Sequence, residues 1–171
     1  TVKNAYNTSY GNGIFYLENV EFDDGSCGKE ELEQITSIRR GSDANDVIDG
    51  YGAAYNYSEN ETIYAGAGDD TVHGNNGDDV IYGESGNDTL YGGNGDDVIV
   101  GGIGEDYLAG DAGADIYIHS RGDGNDVINN YDAWESRTSD KLVLKGVKKS
   151  DVEIIRSGLN MIIRDTVGNE V

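Results

Sequence analysis

The chain is predicted to be all-β: a right-handed parallel β-roll, or β-solenoid, of nonapeptide repeats with β-rich flanks at its N- and C-terminal ends. Three observations over residues 65–118 carry that prediction. Gly recurs at 68, 77, 86, 95, 104 and 113, a spacing of nine held through six units. Two residues after each comes an acid: Asp70, Asp79, Asp88, Asp97, Asp106 and Asp115. Two residues further stands a large apolar or aromatic residue: Val72, Ile81, Leu90, Ile99, Leu108 or Tyr117. Nine residues are too few for a helical hairpin but fit a turn followed by a strand of about three residues. In that tripeptide the middle side chain points inward and its neighbours outward, since a strand alternates faces. Two nonapeptides complete one coil, so turns on the same edge lie eighteen residues apart.

The turn itself reads G-G-x-G-x-D, and its cleanest copy is Gly92-Gly93-Asn94-Gly95-Asp96-Asp97-Val98-Ile99-Val100. Glycines in such a turn accept positive φ, which lets several carbonyls aim at one point. With an aspartate ending each turn, adjacent turns form an all-oxygen cage suited to the hard, flexible, high-coordinate Ca²⁺. Mg²⁺ holds its own water and demands near-octahedral geometry, so it fits less well. Thiolate and imidazole take no part in the repeat, which argues against zinc or copper. The candidate metal residues are the six acids above with Asp126, Glu61 and Asp46 from less regular copies. With them go the turn residues Gly66, Gly68, Gly74, Asn76, Gly77, Gly83, Ser85, Gly86, Gly92, Gly93, Asn94, Gly95, Gly101, Gly102, Gly104, Gly110 and Gly113. The expected same-edge pairs are Asp70 with Asp88, Asp88 with Asp106, Asp79 with Asp97, and Asp97 with Asp115. Glu61 with Asp79 and Asp106 with Asp126 extend the series, for roughly four to seven calcium ions in all.

Composition agrees. The 171 residues carry 33 acids against 12 bases, a formal charge of −21, and much of that charge lies on the nine-residue lattice. Such a surface repels nucleic acid and anionic membranes. Gly numbers 26 and Pro is absent, as stacked turns require. Cys27 is the only cysteine, which excludes a disulfide framework and a thiolate metal site. No apolar run reaches the ~18 residues of a membrane span. The chain starts at Thr1 without a basic-then-apolar leader and reads as an excised segment.

In chain order, residues 1–40 form an N-terminal flank. The run 14–22 is one or two strands, Asp23 to Ser26 a turn, and Lys29 to Ile35 a short helix. The roll spans 41–130. Its first copy, Gly41 to Asp49, has Ala44 where Gly is expected; the second is lengthened by six residues, and a loop around Tyr51 to Tyr57 absorbs them. A ninth copy, Arg121 to Asn129, follows two extra residues. Residues 131–171 hold three β-rich runs, at 141–144, 152–155 and 160–164, and cap the roll, with Trp134 as the aromatic anchor. Tyr64 with Tyr82, and His73 with Tyr91, occupy outward positions eighteen residues apart. They read as cross-strand ladders, or alternatively as a sugar-stacking strip. His73 and His119 are packing or surface histidines. No nucleophile, base and oxyanion hole occur together, so the chain is not expected to be an enzyme.

The repeats resemble those of the RTX (repeats-in-toxin) family. The flanks also resemble those of its large, multi-module secreted members: Val2-Lys3-Asn4 and Glu21 to Gly25 before the roll, Arg121 to Tyr131 and Asp140 to Leu144 after it. The ends, Thr166 to Val171 and Thr1 to Asn4, resemble successive segments of a tandem array. The resemblance implies a bacterial protein exported by type I secretion machinery, unfolded in the calcium-poor cytosol and folding with calcium outside the cell. An adhesin or carbohydrate-binding module meeting a host-cell or glycan ligand is one alternative. The non-catalytic C-terminal part of an RTX exoenzyme or toxin is another.

Overall fold

A computed structural model describes residues 5–10, 14–22, 25–27, 38–50, 59–130 and 139–166, with side-chain surroundings from residue 38 onward. The chain divides into two compact units, Thr1–Ile38 and Arg39–Val171.

The first unit contains an antiparallel meander of β1 (Ala5–Tyr10), β2 (Ile14–Phe22) and β3 (Gly25–Cys27). The run 14–22 is a single strand. Gly25 and Ser26, read from sequence as turn residues, are in β3, because Phe22 pairs with Gly25 and Glu21 with Ser26 and so draws them into the ladder. The expected helix at 29–35 and the segment Val2-Lys3-Asn4 lie outside the described residues.

The second unit is the roll. Strands β4 (Ile38–Arg40), β6 (Thr62–Ala67), β8 (Val80–Ser85), β10 (Val98–Ile103), β12 (Ile116–Ser120) and β14 (Lys141–Lys145) form one sheet. The other sheet takes the alternate strands: β5 (Val47–Asp49), β7 (Thr71–Asn76), β9 (Thr89–Asn94), β11 (Tyr107–Ala112) and β13 (Asn125–Asn129). From β6 to β11 every neighbouring strand within a sheet is parallel and eighteen residues away, as the period requires. The inward residues form two columns, Ile63-Ile81-Ile99-Tyr117-Leu142 and Ile48-Val72-Leu90-Leu108-Ile128. From Ile63 to Tyr117 and from Val72 to Ile128 these side chains are at most 1% exposed. Each buries apolar area worth about 1.5–3 kcal/mol against the side chains above and below it. This narrow double column is the core.

Strands are longer than the expected tripeptide. In β7 to β11 the pairing runs on through the next turn's first three residues, skipping only its first glycine, so Val100 faces Tyr82 and Gly102 faces Glu84. Identical turns stack in register, and their backbone groups pair as a strand's do. The second turn position has positive φ even where it is not glycine: Asn75 (80°), Glu84 (74°) and Asp111 (65°). Such residues cost of order 1–3 kcal/mol each and persist because the neighbouring coils hold them.

The irregular copies keep register. Val47 still faces Thr71 across the six-residue insertion, whose expected loop at 51–57 falls outside the described residues. Gly104 bridges Gly124 across the two extra residues. At the C-terminal end β14 adds one more parallel strand, and the antiparallel hairpin β15 (Val152–Ser157) and β16 (Asn160–Asp165) docks on β13. Ile163 from β16 is fully buried, so the hairpin closes that end of the core. Trp134, the expected anchor, lies outside the described residues. Among the described residues no helix is long and apolar enough to cross a membrane.

Candidate metal sites

The turn aspartates form two ladders, one along each edge. Asp70 N–H donates to Asp88 Oδ1 at 2.8 Å, Asp79 N–H to Asp97 Oδ1 at 2.7 Å, Asp88 N–H to Asp106 Oδ1 at 2.9 Å, and Asp97 N–H to Asp115 Oδ1 at 3.0 Å. The four pairs expected from the spacing are thus in contact through one carboxylate oxygen. The ladders extend through Asp46 to Asp70, Glu61 to Asp79 and Asp106 to Asp126. They also reach a residue the repeat pattern does not include: Asp115 N–H donates to Asp140 Oδ1 at 3.0 Å, across 25 residues. No period announces Asp140, because the chain leaves the lattice after residue 129.

The other oxygen is what sets the regular turns apart. Oδ2 of Asp70, Asp79, Asp88, Asp97 and Asp106 is buried and accepts no hydrogen bond. Burial, with smaller repulsion from neighbouring acids and against the pull of the donated backbone N–H, pushes Asp79 and Asp88 up to about 6. It pushes Asp106 to about 7 and Asp97 to about 8. A column of such groups wants cations within it.

The space beside these oxygens fits one. A Cβ at Gly74 would stand 2.6 Å from Asp79 Oδ2 and 2.5 Å from the Gly92 carbonyl oxygen. Gly83 and Gly92 face Asp88 and Asp97 in the same way, Gly101 and Gly110 lie against the carboxyls of Asp106 and Asp115, and Gly50 stands likewise between Glu61 Oε2 and the Gly74 carbonyl oxygen. The first glycine therefore keeps open a gap between a carboxylate and the main chain. The fourth-position glycines (Gly68, Gly77, Gly86, Gly95, Gly104 and Gly113) have φ between 114° and 154° and lie against the backbone of the neighbouring coil. The second-position Gly66, Gly93 and Gly102 also take positive φ. Asn76, Ser85 and Asn94 occupy the third position, and Asn94 Nδ2 donates to Asn76 Oδ1 at 2.7 Å. Among the described residues no three His, Cys, Asp or Glu side chains converge. Carboxylates with main-chain oxygens make up the available donor set, and that set suits calcium.

The irregular acids are different. Asp46 Oδ2 accepts from Ser42 N–H at 2.7 Å and Ser42 Oγ–H at 2.8 Å, which hold its carboxyl below the usual range. Glu61 is buried and its Oε1 accepts from Arg39 Nε–H at 2.7 Å. Asp126 is buried with His119, and Oδ2 lies 2.7 Å from His119 Nδ1.

A third series escaped sequence reasoning. The residue before each acid accepts, through its side-chain oxygen, from the matching N–H of the next same-edge coil. Asn45, Asp69 and Asn87 do so along one edge, Asn60, Asp78 and Asp96 along the other, at 2.8–3.0 Å. Its signal was present as an unbroken run of short Asn or Asp side chains that stops at Glu105 and Ala114, the last donors. On the outer faces, Tyr64 stacks on Tyr82 at 5.0 Å and 9°, and His73 on Tyr91 at 4.9 Å and 4°. Arg40 covers the other side of Tyr64, 4.3 Å from the ring centre. These are ladders between coils, as expected.

A solenoid with a nine-residue period, one inward apolar residue and one buried turn acid per repeat is a β-roll of the calcium-binding class. Residues 55–90, 82–117 and 91–128 match the family described as the RTX calcium-binding nonapeptide repeat. Residues 55–128 are thus RTX calcium-binding repeats, folded as a β-roll. No curated protein matches it.

Proposed function

We propose that the chain is a calcium-folded module of a secreted bacterial RTX protein, exported unfolded through type I secretion and folding outside the cell. It is a binding and folding element without catalysis of its own. The observation that carries this reading is the row of buried, unpartnered Oδ2 atoms at Asp70, Asp79, Asp88, Asp97 and Asp106. In water those carboxylates ionise freely; packed in a metal-free roll they pay desolvation and repel one another. Calcium supplies the positive charge that turns each same-edge acid pair into an attraction between coils. Asp70 with Asp88, Asp79 with Asp97, Asp88 with Asp106, and Asp97 with Asp115 hold it, the turn carbonyls completing the shell. Each occupied site adds about 2.7 kcal/mol at a hundredfold excess over its dissociation constant. Several such sites exceed the ~5–15 kcal/mol by which a domain is ordinarily stable, so calcium decides between folded and unfolded chain.

The test is circular dichroism and X-ray scattering through a calcium titration from chelator, with magnesium as control. The expected result is an expanded, β-poor chain that compacts and gains β-structure at millimolar calcium, and not with magnesium. A spectrum unchanged across the titration overturns the proposal. A glycan-stacking role has less support, because the tyrosine faces are turned on each other and on Arg40.

A further inference from the structure

We propose that the chain's own side chains close the two ends of the roll where calcium would otherwise be needed: the Arg39 guanidinium neutralises Glu61, and the His119 ring occupies the second oxygen of Asp126. This rests on the calcium reading of the regular turns and adds that these two acids, though in register with the rest, take no calcium. The contrast is atom by atom. In Asp70, Asp79, Asp88, Asp97 and Asp106 one oxygen accepts the backbone N–H of the same-edge coil and the other has no hydrogen-bond partner. In Asp126, Oδ1 accepts Asp106 N–H as the pattern requires, but Oδ2 is engaged by His119 Nδ1 at 2.7 Å. An ionised carboxylate only accepts, so the ring donates from Nδ1, which a neutral imidazole does as readily as a charged one. Glu61 continues the backbone ladder through its N–H to Asp79, yet its carboxylate is bound by Arg39 Nε–H at 2.7 Å. A guanidinium keeps its charge at any working pH.

Two further features agree. The turn ending in Asp126 has Arg121, not glycine, at its first position, so it lacks the opening that Gly74, Gly83, Gly92 and Gly101 keep beside their acids. Glu61 keeps the glycine, Gly50, beside its Oε2, but it carries one methylene more than aspartate and its Oε1 reaches the fixed charge of Arg39 on β4, the outermost strand of its sheet. The first and last coils thereby have side-chain partners for their acids that need no ion from solution, and calcium is confined to the regular turns between them.

The decisive measurement is anomalous scattering from crystals of the whole chain grown in calcium. Peaks are expected beside the carboxylates of the regular turns and none within bonding distance of Glu61 or Asp126. A peak at either of these two overturns the proposal. Native mass spectrometry gives a second measure: Glu61→Gln and Asp126→Asn should bind as many ions as wild type, while Asp97→Asn binds at least one fewer. Loss of an ion in either end variant overturns the proposal. If Asp97→Asn also loses none and the crystals show no calcium in the roll, the calcium reading of the regular turns fails, which is a different result. Should an end variant fail to fold, the crystal measurement on the natural sequence still decides.

Discussion

The regular middle of the roll and its two ends share one backbone lattice but differ in what answers the turn acid. Between Asp70 and Asp106 the chain leaves the second carboxylate oxygen without a donor. At Asp46, Glu61 and Asp126 it supplies Ser42, Arg39 and His119. On the reading proposed here, the middle depends on an ion and the ends depend on side chains. The lesson is that the same repeat geometry can be satisfied internally, and that departures from consensus mark where this happens.

Removing an end should have the largest effect. A chain stopped at residue 130 loses β14, β15 and β16, uncovering Tyr117 and Ile128 and taking Asp140 from Asp115. Terminal repeats of stacked folds need such covering. We expect the calcium midpoint to rise by about tenfold or more, or folding to fail. Removing residues 1–38, which form a separate unit and leave Arg39 in place, should move the midpoint less than about threefold. Equal midpoints for the two truncations, measured by circular dichroism, would show that the C-terminal strands do not govern assembly.

Next in size is a change in the middle set against one at an end. Asp97→Asn removes one carboxylate from two same-edge pairs while its remaining oxygen still accepts from Asp79 N–H. It should raise the calcium midpoint by about tenfold, whereas Asp46→Asn should shift it only slightly. In chelator the sign reverses: Asp97→Asn should be more structured than wild type, because burying an amide spares the desolvation of a charge. A chelated Asp97→Asn chain less ordered than wild type would refute the electrostatic account.

The same account fixes a pH dependence. In the metal-free roll Asp79 and Asp88 titrate near 6, Asp106 near 7 and Asp97 near 8, all raised from an ordinary 3.8. The folded state then binds protons that the unfolded chain has released, so its stability falls as pH rises from about 4 to about 8. Without calcium, β-structure should be greater at about pH 5 than at about pH 8. With calcium the trend should invert, since protons compete for the carboxylates. Circular dichroism at both pH values, with and without chelator, reads both slopes; a chelated chain that gains structure on going alkaline contradicts the account.

The smallest effect belongs to the outer faces, which middle and ends share. Tyr82→Ala loses the 5.0 Å stack on Tyr64 and should cost about 0.5–1.5 kcal/mol in calcium-saturated denaturation. The number of bound ions should not change. A lost ion would mean that the stack holds the turns in place.

By itself the sequence determined the solenoid, its two edges, the inward column and the four regular acid pairs. Each follows from a period, and a period survives wherever every unit meets the same neighbours. The fifth-position Asn and Asp ladder obeys the same period and was legible there, though only the hydrogen bonds give it meaning. What the tertiary structure alone decided lies where the period breaks. Asp140 joins Asp115 across 25 residues, Ile163 enters the core from an antiparallel strand, and Arg39 meets Glu61 across 22 residues. His119 is only seven residues from Asp126, yet nothing in that spacing says that the two side chains turn inward together. Strand lengths belong here too, since backbone groups of a turn pair only once an identical turn is stacked upon it. A repeat carries its own geometry forward, but a partner supplied from outside the repeat is fixed by where the chain folds back.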